Sequence, residues 1–219
     1  MNEDSRSTYT LPMFPLGGPL MPGALLPLQV FEPRYLEMID RCLVSRVPEF
    51  GVVMIERGSE VGGGDVRSTV GVTARIVDVK RIVEGRLAVL AVGERRFEVV
   101  RWLEDDPHPI ADVRDWPDGN EDSDGDLAAS RVDALMALDR VLALTAELGV
   151  QVPERPSLDE LDEMEVSYAV VTLAPLGASD RQRLLRASGP RHRLRLFAEA
   201  ISEVEDSLRF RLLNPGPDR

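Results

Sequence analysis

Apolar and polar residues alternate with a period of two over much of the first half of the chain, which is the pattern of half-buried β-strands. The clearest run spans residues 70–82, where one side of the predicted strand is apolar: Val70, Val72, Ala74 and Ile76. Further strands are predicted at residues 11–16, 24–31, 51–55, 86–92, 96–103 and 110–115. Glu84 and Gly85 supply a tight turn between two of them, and this number of short strands predicts a closed or nearly closed barrel.

Proline positions refine two of these elements. Pro27 lies inside the predicted strand 24–31, which makes that strand an edge strand or places a bulge in it. Pro33 suits the first position of a helix, and the residues that follow repeat at spacings of three and four, which predicts a short amphipathic helix over residues 33–44. Its apolar positions are Leu36, Ile39 and Leu43.

The period becomes helical after residue 126. The first long helix has an apolar stripe and ends at Gly149; the stripe comprises Val132, Leu135, Leu138, Leu142 and Leu148. Ser157 with Glu160, and Ser179 with Gln182, have the spacing of capping boxes and predict two further helix starts. The last helix stops near Asn214, and its apolar positions are Leu194, Phe197, Ile201, Val204 and Leu208.

These patterns predict a β-rich part followed by a helical part. The expected organisation is a disordered leader at 1–10, a β-rich barrel at 11–117, an acidic linker at 118–126, a helical subdomain at 127–214 and a tail at 215–219. The linker is predicted because its sequence, DGNEDSDGD, contains no apolar residue.

Charge and composition narrow the function classes. A formal net charge of -12 at pH 7 argues against a nucleic-acid partner, because phosphate binding needs a basic surface. The short basic run Arg191, Arg193 and Arg195 is interpreted as the surface of a helix. The single cysteine, Cys42, lies in an apolar helical pattern and is predicted to be buried, which fits a reducing compartment. We expect a cytoplasmic protein without a membrane partner, because no export signal and no apolar run of roughly 20 residues is found.

The sequence contains few features that indicate a catalytic function. No G-x-S-x-G elbow is present, and His108 and His192 are interpreted as surface residues, the first in a loop and the second at a helix start. A serine activated by Lys80 remains an alternative. Gly62–Gly64 is interpreted as a hairpin loop rather than a phosphate cradle.

Metal sites are similarly unsupported. Two distant histidines and one cysteine do not supply the ligands of a zinc site. Residues 120–125 resemble the start of an EF-hand loop, but Arg131 stands where the closing glutamate should be. A solvated linker is therefore preferred over a calcium loop, and we expect no metal or cofactor.

Residues 11–35, LPMFPLGGPLMPGALLPLQVFEPRY, resemble the opening of the N-terminal substrate-recognition domain of Lon-type ATP-dependent proteases. The motifs that carry the resemblance are Phe14-Pro15-Leu16, Pro22-Gly23 and the segment from Phe31 to Tyr35. Residues 180–185, DRQRLL, are similar to the helical half of that family. The resemblance implies an α+β fold in which a PUA-like pseudo-barrel is followed by an α-helical bundle. No nucleotide-binding G-x-x-x-x-G-K-[ST] motif is found, so the chain is expected to lack the ATPase and peptidase domains.

The resemblance therefore implies a non-catalytic module that binds unfolded or tagged proteins, with an adaptor role for a protease or chaperone machine. The expected contact residues lie in the apolar turn and in the Phe-Glu-Pro-Arg-Tyr motif: Leu20, Met21, Leu25, Leu26, Arg34 and Tyr35. For Arg34, an ion pair at the junction of helix and barrel is the favoured role. A small-ligand-binding PUA-like module and an enzyme of unrecognised type remain alternatives, and the protein is expected to be a monomer or a weak homodimer.

Overall fold

A computed structural model describes residues 7–57, 66–119, 127–152 and 156–214, which divide between Pro117 and Asp118 into two compact units. The predicted glycine loop Gly62–Gly64 and the calcium-like positions 120–125 lie outside these residues. The first unit contains one helix, α1 (Pro33–Leu43), and six strands: β1 (Thr8–Leu16), β2 (Leu25–Val30), β3 (Glu49–Arg57), β4 (Val66–Val83), β5 (Arg86–Trp102) and β6 (Ile110–Asp115).

Five of these strands close into a ring in the order β5, β4, β3, β1, β6 and back to β5. The pair β1 and β3 is parallel, and every other pair in the ring is antiparallel. Apolar side chains from four strands fill the ring interior: Leu11, Met13, Val53, Phe97, Val99, Ala111 and Val113. The predicted barrel in an α+β fold is thereby confirmed.

β5 is a single strand of 17 residues, although the sequence pattern predicted two strands separated at Gly93. Its stretch from Leu87 to Val92 pairs with β2, and its stretch from Phe97 to Trp102 pairs with β6. Gly93 is not a turn: a Cβ at this position would lie 2.3 Å from the carbonyl oxygen of Met21. Glycine is required there because another backbone approaches closely.

β1 begins at Thr8, so the predicted disordered leader was wrong for residues 8–10. Thr8 to Pro12 pair with β6, and the hydroxyl of Thr10 donates to the carboxylate of Asp112 over 2.7 Å. The hydroxyl of Tyr9 donates to Asp115. Burial, assisted by that carboxylate, raises the pKa of Tyr9 to about 12. The sequence signal missed these polar residues because side-chain hydrogen bonds, rather than apolar burial, order them.

α1 begins at Pro33 as predicted and buries Tyr35, Met38, Ile39 and Cys42. Leu43, which the periodicity placed on the apolar face, is exposed. Cys42 is buried as predicted, and its thiol donates to the carbonyl oxygen of Glu49 over 3.3 Å. Burial raises the pKa of the Cys42 thiol from its usual 9.0 to about 11.

We expect this thiol to make the fold sensitive to alkali. The folded protein holds the thiol proton more tightly than the unfolded chain does, so the free energy of unfolding falls as the pH rises from 9.0 to about 11. At roughly 1.4 kcal/mol for each pKa unit, the loss is about 2–3 kcal/mol. Urea unfolding of the wild type and Cys42→Ala at pH 8 and pH 11 measures it. An equal loss in both proteins would contradict the assignment.

The second unit contains four helices: α2 (Leu127–Glu147), α3 (Glu163–Leu173), α4 (Ala178–Leu185) and α5 (Pro190–Leu213). The apolar stripe predicted for α5 is confirmed, since its members are buried or half-buried. The stripe predicted for α2 was partly wrong, because Val132 is 54% exposed. The buried face of α2 is formed by smaller residues around Leu138: Ala134, Ala137, Val141 and Thr145. The prediction placed only large apolar side chains on the buried face, whereas the two alanines also lie there.

Neither predicted capping box forms. The structure places a capping box at Asp162 and Glu165, where each side chain accepts the other residue's backbone N–H. Ser157 instead contacts the carboxylate of Asp159. α4 begins at Ala178, one residue before the predicted cap Ser179, and has no side-chain cap. An aspartate is as good a cap as a serine, so spacing alone could not choose between them.

Arg193 is completely buried, which corrects its interpretation as a helix-surface residue. Its guanidinium pairs with the carboxylate of Asp118, with the shorter contact at 2.6 Å, and lies 3.6 Å from the centroid of the Tyr168 ring. Asp118 was assigned to the solvated linker, but its side chain is 7% exposed and belongs to the helical unit. An arginine that is fully hydrogen-bonded can replace an apolar residue in a core, and periodicity cannot reveal this.

None of the helices in the described residues combines the length and the apolarity that a bilayer span requires.

Candidate functional site

The structure separates the six predicted contact residues into buried and accessible ones. Leu20, Met21 and Tyr35 are buried, so the proposed contacts at these positions are core packing instead. Leu25 is 65% exposed, and Leu26 is half-buried. Only the far end of the apolar turn, where β2 begins, is therefore exposed to solvent.

Arg34 forms an ion pair, as the sequence favoured, but the partner is in the same segment and does not connect the helix to the barrel. Its guanidinium forms an ion pair with Glu32 at 3.0 Å and lies 4.6 Å from the centroid of the Tyr35 ring. Tyr35 in turn stacks on Phe14 with ring centroids 4.2 Å apart. This stack joins the start of α1 to β1 and holds the Phe-Glu-Pro-Arg-Tyr segment in place.

β2 has an inner and an outer side that follow strict alternation. The even-numbered residues Leu26, Leu28 and Val30 are half-buried or buried, whereas the side chains of Leu25, Pro27 and Gln29 are exposed. Successive side chains of a strand point to opposite faces, so the three exposed odd-numbered residues share one face. Leu25 was predicted from the sequence as a contact residue, whereas Pro27 and Gln29 were not, although the alternation in LLPLQV contains this information.

The exposed face continues onto the neighbouring strands. Pro27 is in register with Leu90 of β5, which is in register with Asp78 of β4. The next row is Gln29, Ala88 and Lys80. These residues line a shallow groove of about 370 Å³. Its floor is apolar and its rim is charged, with Lys80 3.2 Å from Asp78.

Phe31 and Arg86 lie at the end of this face. Neither was among the contact residues predicted from the sequence. Phe31 is 55% exposed, and the Arg86 guanidinium lies 5.8 Å from its ring centroid. Within the part of the chain that the structure describes, no carboxylate forms an ion pair with Arg86. The face thus runs from an apolar end at Leu25 to a cationic end at Arg86.

Candidate catalytic residues are dispersed. His108 was interpreted as a surface residue, but it is buried, and its Nδ1 lies 3.1 Å from the Pro109 carbonyl oxygen. Its loop is held against β1, because the Met13 N–H donates to the same carbonyl oxygen over 2.8 Å. Lys80 is exposed and paired with Asp78, and no hydrogen bond joins it to a serine within the described ranges.

His192 lies at the start of α5 with its Nδ1 3.0 Å from the Ser188 hydroxyl oxygen. The Ser188 backbone N–H also points at this nitrogen, over 3.3 Å. The imidazole therefore orders the chain where the helix begins. Among the described residues, no group of three or more His, Cys, Asp or Glu side chains is arranged to hold a metal ion.

The protein has an α+β fold, with a closed barrel, one strand added to it and a helical unit. The added strand exposes an apolar face to solvent. The chain belongs to the family described as ATP-dependent protease La (LON) substrate-binding domain, whose model matches residues 10–203. The predicted family resemblance is confirmed.

Two relatives show the extent of the match. The chain is 28% identical over 182 residues to a Lon protease of Parabacteroides distasonis, which covers 80% of this chain and 22% of the relative. It is 27% identical over 208 residues to Lon protease 2 of Herpetosiphon aurantiacus, which covers 92% of this chain and 25% of the relative. The chain thus spans about a quarter of the length of these proteases.

Solved structures agree with the fold. A Lon N-terminal domain protein from Xanthomonas campestris is 28% identical, with a TM-score of 0.64 over 87% of this chain and 98% of that one. The N-terminal domain of a Mycobacterium avium complex Lon protease is 17% identical, with a TM-score of 0.60 over 89% of this chain and 99% of that one. The second likeness supports the fold alone.

Proposed function

We propose that this chain recognises unfolded segments of other proteins at the exposed face of β2. Membership of a substrate-binding domain family fits a recognition module. The single observation that carries the proposal is the apolar face that runs from Leu25 past Leu90 to Phe31. Unfolded chains expose apolar side chains that folded proteins bury, and a solvated apolar face with a charged rim is suited to bind them.

Leu25 and Phe31 provide the apolar contacts of the proposed site, whereas Leu26 lies on the inner side of β2. Arg34 fixes the segment that carries Phe31. The groove is open and shallow, which suits side chains of varied shape better than one small ligand. We propose that the module itself is non-catalytic and acts in the cytoplasm, where it delivers bound segments to a protease or chaperone machine. The names of the relatives, which are Lon proteases, support a connection with proteolysis.

A binding experiment with an unfolded protein tests the proposal. Fluorescently labelled, reduced and carboxymethylated α-lactalbumin stays unfolded in solution, and its affinity is measured by anisotropy. Replacing both Leu25 and Phe31 by serine is expected to weaken binding at least tenfold, since each tenfold change corresponds to ~1.4 kcal/mol and burying even one large apolar side chain contributes ~1.5–3 kcal/mol.

Val44→Ser is the matched control. Val44 is 87% exposed but is the C-cap residue of α1 and not part of the β2 face, so its replacement should leave the affinity unchanged. The proposal fails if the wild type does not bind the unfolded protein, or if Val44→Ser weakens binding as much as the double variant does.

A further inference from the structure

The outer edge of β2 carries main-chain groups that no described strand pairs with. β2 is the terminal strand of the sheet order and is hydrogen-bonded only to β5. The Ala24 carbonyl oxygen accepts from the Gly93 N–H over 2.9 Å, which directs the even-numbered residues of this segment toward β5. Main-chain groups of a strand alternate between its two edges, so those of Leu25, Pro27 and Gln29 point away from β5.

Pro27 agrees with this orientation. A proline has no N–H to donate, so within a sheet it is tolerated where its nitrogen faces away from the neighbouring strand. The outer edge therefore offers the N–H groups of Leu25 and Gln29 and the carbonyls of Leu25, Pro27 and Gln29. These groups can pair with the donors and acceptors of one extended backbone, except at Pro27, where the N–H donor is missing.

Proline also limits what can pair with this edge. Edge prolines hinder pairing between sheets of identical molecules, because each copy then lacks a donor. An unfolded segment without proline loses only the one bond at Pro27. The edge thus disfavours a second copy of this chain and still accommodates an extended segment from another protein.

The charge at the Phe31 end of β2 favours some bound segments over others. The chain has a net charge of -12, yet the Phe31 end of β2 carries the Arg86 guanidinium, which has no carboxylate partner among the described residues. Lys80 lies in the next row of the same face but is paired with Asp78, so the charge at this end rests on Arg86. A segment with an acidic residue at this end gains an ion pair, and one with a basic residue is repelled.

We propose that the unfolded segment binds as an added β-strand along the outer edge of β2, with an acidic residue beside Arg86. This inference rests on the proposed function and specifies its binding mode. Backbone hydrogen bonds supply affinity that is independent of sequence, as in other cases of strand addition. Alternate side chains of the segment lie beside the exposed side chains of Leu25 and Pro27, where apolar residues are preferred.

Gln29→Pro against Gln29→Ala separates the backbone from the side chain. Both variants remove the exposed side chain of Gln29, but only the proline removes the outward N–H, and neither disturbs the hydrogen bonds to β5. Because one hydrogen bond contributes ~0.5–1.5 kcal/mol, Gln29→Pro should bind an extended peptide about three- to tenfold more weakly than Gln29→Ala. The probe is an acetylated, amidated peptide of alternating threonine and valine with a glutamate at each end.

Two further measurements complete the test. The same peptide with every core amide N-methylated should not bind detectably, and a version with lysine at each end should bind several-fold more weakly to the wild type. Arg86→Gln should reduce the difference between the glutamate and lysine peptides. Circular dichroism and thermal unfolding establish that each variant folds.

The outcomes distinguish the two proposals. If Gln29→Pro and Gln29→Ala bind equally while the Leu25 and Phe31 double variant is weakened, strand addition is overturned and the proposed function stands. If the wild type does not bind unfolded α-lactalbumin, the proposed function fails and strand addition fails with it. If sedimentation shows a dimer that Gln29→Pro dissociates, the edge serves a second copy of this chain, which also overturns the inference.

Discussion

Arg193→Met is expected to lower the free energy of unfolding by about 3–5 kcal/mol, which is the cost of removing one partner of a buried ion pair. Its guanidinium donates to Asp118, to the Ser167 hydroxyl over 2.7 Å and to the Tyr168 hydroxyl over 2.9 Å. Its Nε donates to the Leu184 carbonyl oxygen over 3.2 Å. The methionine leaves a carboxylate that is 7% exposed without its cation.

Arg195→Met provides the control for this prediction. It is the same substitution two residues further along α5, where the guanidinium is 63% exposed and pairs with Glu199 at 2.9 Å. Exposed pairs of this kind contribute roughly 0–1 kcal/mol. Urea unfolding followed by circular dichroism measures both variants, and similar losses would show that Arg193 has no special role. Adding Asp118→Leu to Arg193→Met should restore part of the loss, because no unpaired charge then remains buried.

Phe97→Ala is expected to destabilise the barrel by about 3–5 kcal/mol, the usual cost of truncating a buried aromatic side chain. Phe97 is fully buried and packs with Leu11, Met13 and Val53 inside the ring. It is in register with Gly71 of β4 and with Asp115 of β6, so it lies where β5 joins the ring. The loss arises from the cavity as well as from the apolar surface removed.

Phe31→Ala is the matched control, since the same side chain is 55% exposed at the end of β2. Its loss should stay below about 1 kcal/mol, as expected for a surface substitution. Thermal and urea unfolding of the two variants, compared with the wild type, measures the difference. If Phe31→Ala proves as destabilising as Phe97→Ala, the exposed ring has a structural role in the fold.

Most elements of the fold could be predicted from the sequence because they depend on local pattern. Period-two alternation predicted β4, enrichment in valine and isoleucine predicted β3 and β6, and proline at a first helical position predicted the start of α1. Pro27 correctly indicated an edge strand. These features depend on which residues are neighbours in the chain, and the printed sequence contains that information directly.

The errors have a common physical origin, because they concern contacts between residues far apart in the chain. The division of β5 at Gly93 was wrong because the approaching backbone of Met21 is about 70 residues away, a separation that no local pattern records. The burial of Arg193 depends on Asp118, and the burial of His108 depends on β1. A charged or polar residue is placed by such partners rather than by its own hydropathy.

The candidate site was predicted in part for the same reason. Leu25 was selected from the apolar turn, but Leu20 and Met21 are buried in the folded unit. Phe31 and Arg86 were not connected, because they meet only when β2 pairs with the first half of β5. The alternation within residues 25–30 was the signal that could have identified the exposed face.

β2 and β6 occupy successive stretches of the same edge of β5, and the ring closes through β6 alone. Substitutions on the exposed side of β2 should therefore leave the ring intact and, under the proposed function, change mainly which segments bind. If β2 is the recognition strand that we propose, changes at its exposed positions alone can alter binding specificity while the ring is kept. For protein engineering, β2 is therefore the segment to vary when a different binding specificity is sought.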